Sequence, residues 1–369
     1  MLRKFGLAFL LTFFCITTSF GKGDILNPNH PDQYVVVKGD TLWDISGRFL
    51  RAPWLWPEVW QVNPQIKNPH LIYPGDLISL IYVNGQPRLV LSRGSDVKLS
   101  PSVRITPNAA AISTIPIEII YPFLKQSGVM SQQEYDSAAY VLATPEEQVA
   151  TGAGDRVYIR GIPDQTKDAY KLVRKGGEFK NPEDGIGVGN GKAGESLGFE
   201  ADYLADAQVT DFGEVSTAII TRSTKETSAG DRALPAPEDQ PYFNFFPRAP
   251  KQDITGAIVG IVDDNLEIGR YSVVAINLGA HDQMEVGFVM DLHHKGKLIQ
   301  DKFIKSSFNM GAASQKQKDK TPAPSKMVRL PDERIGELLI FRVFDRISYG
   351  LVLTASETLK QYDLVKTPK

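Results

Sequence analysis

The sequence predicts an α+β protein: a small βααβ module near the amino end, a mixed helix and strand segment, and a β-rich region made of two related barrel- or sandwich-like subdomains. Three observations predict it. Helical periodicity with caps is concentrated between Thr41 and Val62. From Asp155 onward, short runs of β-branched and aromatic residues alternate with turn clusters. A weak internal echo links the stretch from Leu197 to Pro235 with that from Ile335 to Pro368.

The amino end stands apart from these elements. Arg3 and Lys4 precede an almost wholly apolar run from Phe5 to Thr18, and Ser19-Phe20-Gly21 places small residues where a signal peptidase reads. Residues 1–21 are therefore expected to be a secretory signal peptide cleaved after Gly21. The apolar run is shorter than the roughly 20 residues of a membrane span, so no transmembrane span is expected after cleavage. Cleavage would also remove Cys15, the single cysteine of the chain. A formal charge of −2 over 369 residues is unsuited to nucleic acid, whose phosphates demand clustered Lys and Arg.

The module comes next. Tyr34 to Lys38 reads as a strand and Gly39 as a turn; Asp40 or Thr41 then caps a helix whose face carries Leu42, Ile45 and Phe49. Pro53 stops that helix, and Pro57 suits the first turn of a second one. Asn68-Pro69 breaks the chain again. Tyr73-Pro74-Gly75-Asp76 makes a turn, and Leu77 to Ile81 forms a second strand.

Tyr34-x-Val36-x-x-Gly39-Asp40-Thr41-Leu42-x-x-Ile45, then Asn63, then Asn68-Pro69-x-x-Ile72-x-Pro74-Gly75-Asp76 closely resembles the LysM family. The resemblance implies binding of N-acetylglucosamine-containing glycans, peptidoglycan above all, in a groove between two loops. The candidate glycan-binding residues are Gly39, Asp40, Thr41, Leu42, Trp54, Trp56, Asn68, Pro69, Leu71 and Ile72. Loop backbone groups would satisfy the acetamide, and Gly39 would permit their close approach. Several of these residues have a second reading. Asp40 and Thr41 serve equally as helix caps, and Leu42 and Ile72 equally as core. Trp43, Trp54, Trp56 and Trp60 all lie here. Packing is the favoured role for most of them, with Trp54 and Trp56, beside prolines, the better stacking candidates.

The remaining boundaries are set at 34–82 for the module, 83–150 for the mixed connecting segment, and 151–235 and 254–369 for the two β-rich subdomains. Within the connecting segment, Pro116 to Gln126 and Ser131 to Ala143 read as helices, the second opened by the capping box Ser131-Gln-Gln-Glu134. The echo pairs VTDFGEVSTAIITRS with VFDRISYGLVLTAS. Ala153-Gly154-Asp155 and Gly279-Ala-His-Asp282 are expected to open the two related units. Gly176 to Gly194 and Asn309 to Lys326 read as mobile loops. The strands look too short for a transmembrane barrel.

Catalytic signatures are sparse. Without Cys15 no thiol nucleophile remains. His30, His70, His281, His293 and His294 form no HxH or HExxH pattern, and adjacent strand histidines point to opposite faces. Glu195-Ser196 resembles the Glu-Ser of lytic transglycosylases but lies in a Gly-rich loop rather than on a helix, and Asp263-Asp264-Asn265 lacks the other ligands of a calcium loop. No enzyme, metal or cofactor is expected. A peptidoglycan hydrolase, or a regulator of one, is the alternative, since a glycosidase needs only two carboxylates.

The insert Arg-Ala-Pro-Trp-Leu-Trp-Pro-Glu-Val-Trp (residues 51–60), followed by a β-rich region, resembles the type IV pilus secretin-associated family, sharply over residues 34 to 82 and loosely beyond. Its members have a C-terminal region similar to a flagellar assembly protein's C-terminal domain. The resemblance implies a periplasmic, non-catalytic tether between peptidoglycan and an outer-membrane secretin.

Overall fold

In the computed structural model, residues 25–60, 72–92, 112–125, 128–144, 151–163, 166–236, 245–262, 268–301 and 327–369 are described. The chain divides into two compact units, residues 1–110 and 111–369. The signal peptide expected at residues 1–21, Asn63, His70, Asp263-Asp264-Asn265 and the loop expected from Asn309 to Lys326 lie outside the described residues.

In the first unit, strand β1 (Gln33–Val35) pairs antiparallel with β2 (Leu77–Val83), and β2 pairs with β3 (Gln86–Ser92). Helix α1 (Leu42–Phe49) buries Leu42, Trp43, Ile45 and Phe49. Thr41 is its N-cap: the hydroxyl accepts from the Asp44 N–H at 3.2 Å and donates to the Asp44 carboxylate at 2.7 Å. That satisfies a helix-end amide that would otherwise be orphaned. Pro53 begins a 3-10 turn (Pro53–Leu55), which leads into the short helix α2 (Trp56–Trp60). Asn84 (φ 52°) and Gly85 (φ 75°) form the tight turn joining β2 to β3.

The α+β expectation is overturned. Strands account for 47% of the structure and helices for 12%, and the second unit is dominated by β-structure, including a closed six-stranded barrel. Helices α3 (Ile117–Lys125) and α4 (Gln132–Ser137) are brief. The Ser131–Glu134 capping box forms as expected, but α4 stops at Ser137 because Ala139–Ala143 enters a sheet as β5. There, tertiary strand pairing outweighs a local helix start. Gly128–Met130 is likewise a strand, β4.

The rest of the second unit holds two rings. The first contains β5, β6 (Arg156–Arg160), β7 (Ala169–Lys180), β8 (Ser196–Asp211), β9 (Val215–Ser223) and β10 (Arg232–Pro235). Their hydrogen-bonded order runs β8-β7-β10-β5-β6-β9, and pairing of β9 back onto β8 closes it, with β4 added outside β8. The second ring contains β11 (Thr255–Ile261), β12 (Val273–Ile276), β13 (Val289–His294), β16 (Glu333–Val343), β17 (Ser348–Ala355) and β18 (Leu364–Lys366). It is a closed barrel ordered β11-β12-β17-β16-β13-β18.

Numbered by position in the chain, both rings run first, second, fifth, fourth, third, sixth, all antiparallel. The echo read from sequence falls on the fourth, fifth and sixth strands of each ring. The two rings also share an insertion point between the third and fourth strands. In the first ring it holds residues 181–195; in the second it holds residues 295–332, which include the hairpin of β14 (Leu298–Gln300) and β15 (Met327–Arg329). Apolar side chains fill both interiors: Val141, Ile159, Leu172, Leu204 and Ile220 in the first, Ile258, Ile276, Met290, Leu338 and Val352 in the second. An apolar interior is the reverse of a membrane barrel, whose apolar face is outward.

A single turn design recurs in both units. A backbone N–H donates to a carboxylate or hydroxyl three residues on, whose own N–H closes the turn, and the residue between has positive φ. Val37–Asp40 and Tyr73–Asp76 are two cases among the described residues of the first unit, with N–H···O distances to the side chain of 2.9 and 3.0 Å. Gly152–Asp155 and Ser228–Asp231 precede β6 and β10. Gly269–Ser272 and Lys360–Asp363 precede β12 and β18. Thus Asp155 matches Ser272, whereas Gly279–Asp282, the expected opener, is a 3-10 turn inside the β12–β13 connection.

The stretch from Gly176 to Gly194, expected to be a mobile loop, is instead strand β7 up to Lys180 and then an insertion, residues 181–195, fastened to the second ring. Asn277 donates to Asn181 (2.7 Å) and to the Gly187 carbonyl (2.6 Å), Asn190 donates to Asp282 (2.8 Å), and Arg346 pairs with Glu195 (2.9 Å). A Cβ on Gly187 would meet Leu364 at 2.8 Å, so the strap lies where only glycine fits.

Candidate glycan-binding site

The site expected in the first unit is built on the loop between β1 and α1. Gly39 is exposed, has φ 98°, and has nothing within 4 Å of where a Cβ would sit. Its backbone is thus open to an approaching ligand. Asp40 is committed internally: its carboxylate accepts the Val37 N–H (2.9 Å) and the Tyr34 hydroxyl (2.9 Å). Burial, together with the Asp40 carboxylate, raises the Tyr34 hydroxyl above its ordinary pKa. Arg48 lies over the Tyr34 ring at 4.6 Å.

The other named residues separate clearly. Thr41 is buried and occupied as the cap; Leu42, Trp56 and Ile72 are buried in the core. The Trp56 and Trp60 Nε1 atoms find no hydrogen-bond partner among the described residues. Trp54 is half-buried and stacks on Trp43, with centroids 6.3 Å apart and planes 26° apart. Asn68, Pro69 and Leu71 lie outside the described residues. The structure therefore brings Gly39, Asp40, Thr41 and Leu42 together through turn and cap. Of the two tryptophans singled out, it leaves Trp54 the one with accessible surface.

Glu195, the carboxylate singled out in the second unit, is occupied. Glu195 is paired with Arg346 and accepts the Lys192 N–H at 2.8 Å; the Arg346 guanidinium is the main cause that holds its carboxyl below the usual carboxylate range. A general acid needs the opposite shift. His294 Nδ1 sits 2.8 Å from Asp363, while the neighbouring His293 ring is half-buried and burial lowers its pKa. Among the described residues no group of three or more His, Cys, Asp or Glu could hold a metal ion, and no helix is long and apolar enough to cross a membrane.

Comparison with known proteins bears on the first unit. Residues 34–80 match the LysM domain. A curated protein named only as uncharacterised, YqbP of Bacillus subtilis (strain 168), is 37% identical over 60 residues, covering 14% of this chain and 27% of that protein. The chain therefore spans about a quarter of the relative it matches. A LysM domain implies peptidoglycan or glycan binding and points to the cell wall or the cell exterior.

Proposed function

We propose that this protein is a non-catalytic periplasmic tether, exported by cleavage after Gly21, that holds peptidoglycan through its LysM domain and an outer-membrane secretin, that of a type IV pilus, through its second unit. The observation that carries the reading is the division of labour along the chain. A LysM domain occupies one compact unit, and a separate, larger β-rich unit follows. Two modest sites on one chain raise each other's effective concentration, so anchoring requires no covalent step. The glycan would lie along the exposed backbone at Gly39, in the groove expected between residues 39–42 and 68–72, with the accessible face of Trp54 stacking on a sugar ring. The engagement of Glu195 by Arg346 favours this reading over a lytic role for that residue.

The test is light crosslinking of pilus-bearing cells and capture of the tagged full-length chain, beside a variant lacking residues 34–82, with partners identified by mass spectrometry. The tether predicts secretin with both forms and peptidoglycan fragments with the full chain alone. Wall fragments without secretin would remove the pilus assignment and leave the LysM reading intact. Clearing of purified sacculi by the protein would replace the tether with a hydrolase.

A further inference from the structure

The two rings use the same insertion point very differently. In the first ring the strap at 181–195 is spent on a neighbouring ring of identical strand order. It meets the first strand of that ring at Gly256, the sixth at Leu364, the connection after the second at Asn277, and the turn between the fourth and fifth at Arg346. In the second ring the matching insertion carries the β14–β15 hairpin, a two-stranded sheet separate from the barrel. Its large apolar side chains face solvent: Leu298 is 55% exposed, Met327 54%, and Ile299, Val328 and Leu330 are exposed as well. Large apolar side chains exposed on both faces of one small two-stranded sheet mark an interaction site.

We infer that the chain associates head-to-tail with copies of itself, the β14–β15 hairpin of one copy seating on the first ring of the next. Three features select a second copy as occupant. The strap shows that this insertion point already docks on a ring of this strand order within the chain. The first ring has that same order, so the internal interface can be repeated between molecules. Moreover, its β8–β9 turn, the counterpart of the turn that engages the strap through Arg346, exposes Phe212 (38%) and Val215 (40%), an apolar counterpart to the hairpin. Donor and acceptor surfaces lie on different rings, so the contact is heterologous and propagates or closes into a ring of subunits rather than stopping at a symmetric pair.

The test uses the mature chain from Lys22 onward, which has no cysteine once residues 1–21, and Cys15 with them, are removed. Light scattering across a concentration series is expected to show a mass rising to at least about twice that of the monomer. Leu298→Ser with Ile299→Ser, and separately Phe212→Ser, should return it to monomer with an unchanged circular dichroism spectrum, since all three side chains are exposed. Mixing Ile299→Cys chains with Phe212→Cys chains under mild oxidation should give a disulfide-linked dimer that neither gives alone. A monomer at every concentration overturns the inference. A dimer of Ile299→Cys chains alone, from hairpin meeting hairpin, also overturns it.

Discussion

Asn277 donates from Nδ2 to Asn181 Oδ1 at 2.7 Å across the junction of the two rings, and both residues are almost wholly buried. The same Nδ2 reaches the Gly187 carbonyl at 2.6 Å, while Asn277 Oδ1 accepts the Ala257 N–H at 2.7 Å. One side chain thereby joins the strap of the first ring to the first strand of the second. Asn277→Ala removes all of these bonds and leaves buried polar groups unpaired, at about 1–3 kcal/mol for such a group. Urea denaturation is expected to show that loss, and limited proteolysis should find new cleavage between Gly185 and Gly194.

Arg346 and Glu195 form the second fastening, and their response to pH has a definite sign. The Glu195 carboxyl lies below its ordinary value in the folded state, chiefly through Arg346. The stabilisation is present above the unfolded value and is lost as pH falls through the depressed folded value. Arg346→Gln should lower stability at neutral pH and above and flatten that part of the acid-denaturation profile, leaving stability below the depressed value little changed. An unaltered profile would refute the assignment.

Gly230 separates backbone strain from crowding. It has φ 94° and nothing within 4 Å of where a Cβ would sit, so Gly230→Val meets no clash at that carbon. The left-handed backbone alone is expected to cost about 1–2 kcal/mol. Its counterpart Tyr362 already bears φ 71° with a side chain, and Tyr362→Gly should relieve a similar strain. Chemical denaturation of both variants measures the difference.

Trp54 and Trp56 should part company in the LysM domain. Trp54→Ala is expected to weaken retention on purified sacculi by about tenfold, the scale of one aromatic contact, with the fold intact. Trp56 is 2% exposed, so Trp56→Ala should cost about 3–5 kcal/mol of stability. Sacculus pull-down alongside thermal melting distinguishes the two effects.

Much of this is written locally. The Thr41 cap, the Pro53 stop and the Ser131 capping box are short-range chemistry, and they form where the sequence places them. The strand β3 goes unread in the sequence although Asn84-Gly85 is a strong hairpin signal. The strand β7 is hidden for a physical reason: its lysines and the Gly176-Gly177 pair break the apolar alternation, and the pairing with β8 shifts register across those glycines. Ala139–Ala143 looks helical because nothing local reveals that β6 and β10 flank it. The roles of Asn181 and Asn277 depend on partners 96 residues apart, a distance no motif spans. The two-ring order itself is invisible until strands pair, although the echo over its last three strands is readable.

Ring closure also dictates an order of assembly. In each ring the sixth strand bonds to both the first and the third, so neither cylinder can shut until its final strand has emerged. A chain delivered amino end first would complete the β5–β10 cylinder with β11 onward still unpaired. The 181–195 strap, whose seat is made of later residues, would then wait for its partner, holding the glycine-rich segment open until the second cylinder arrives to receive it.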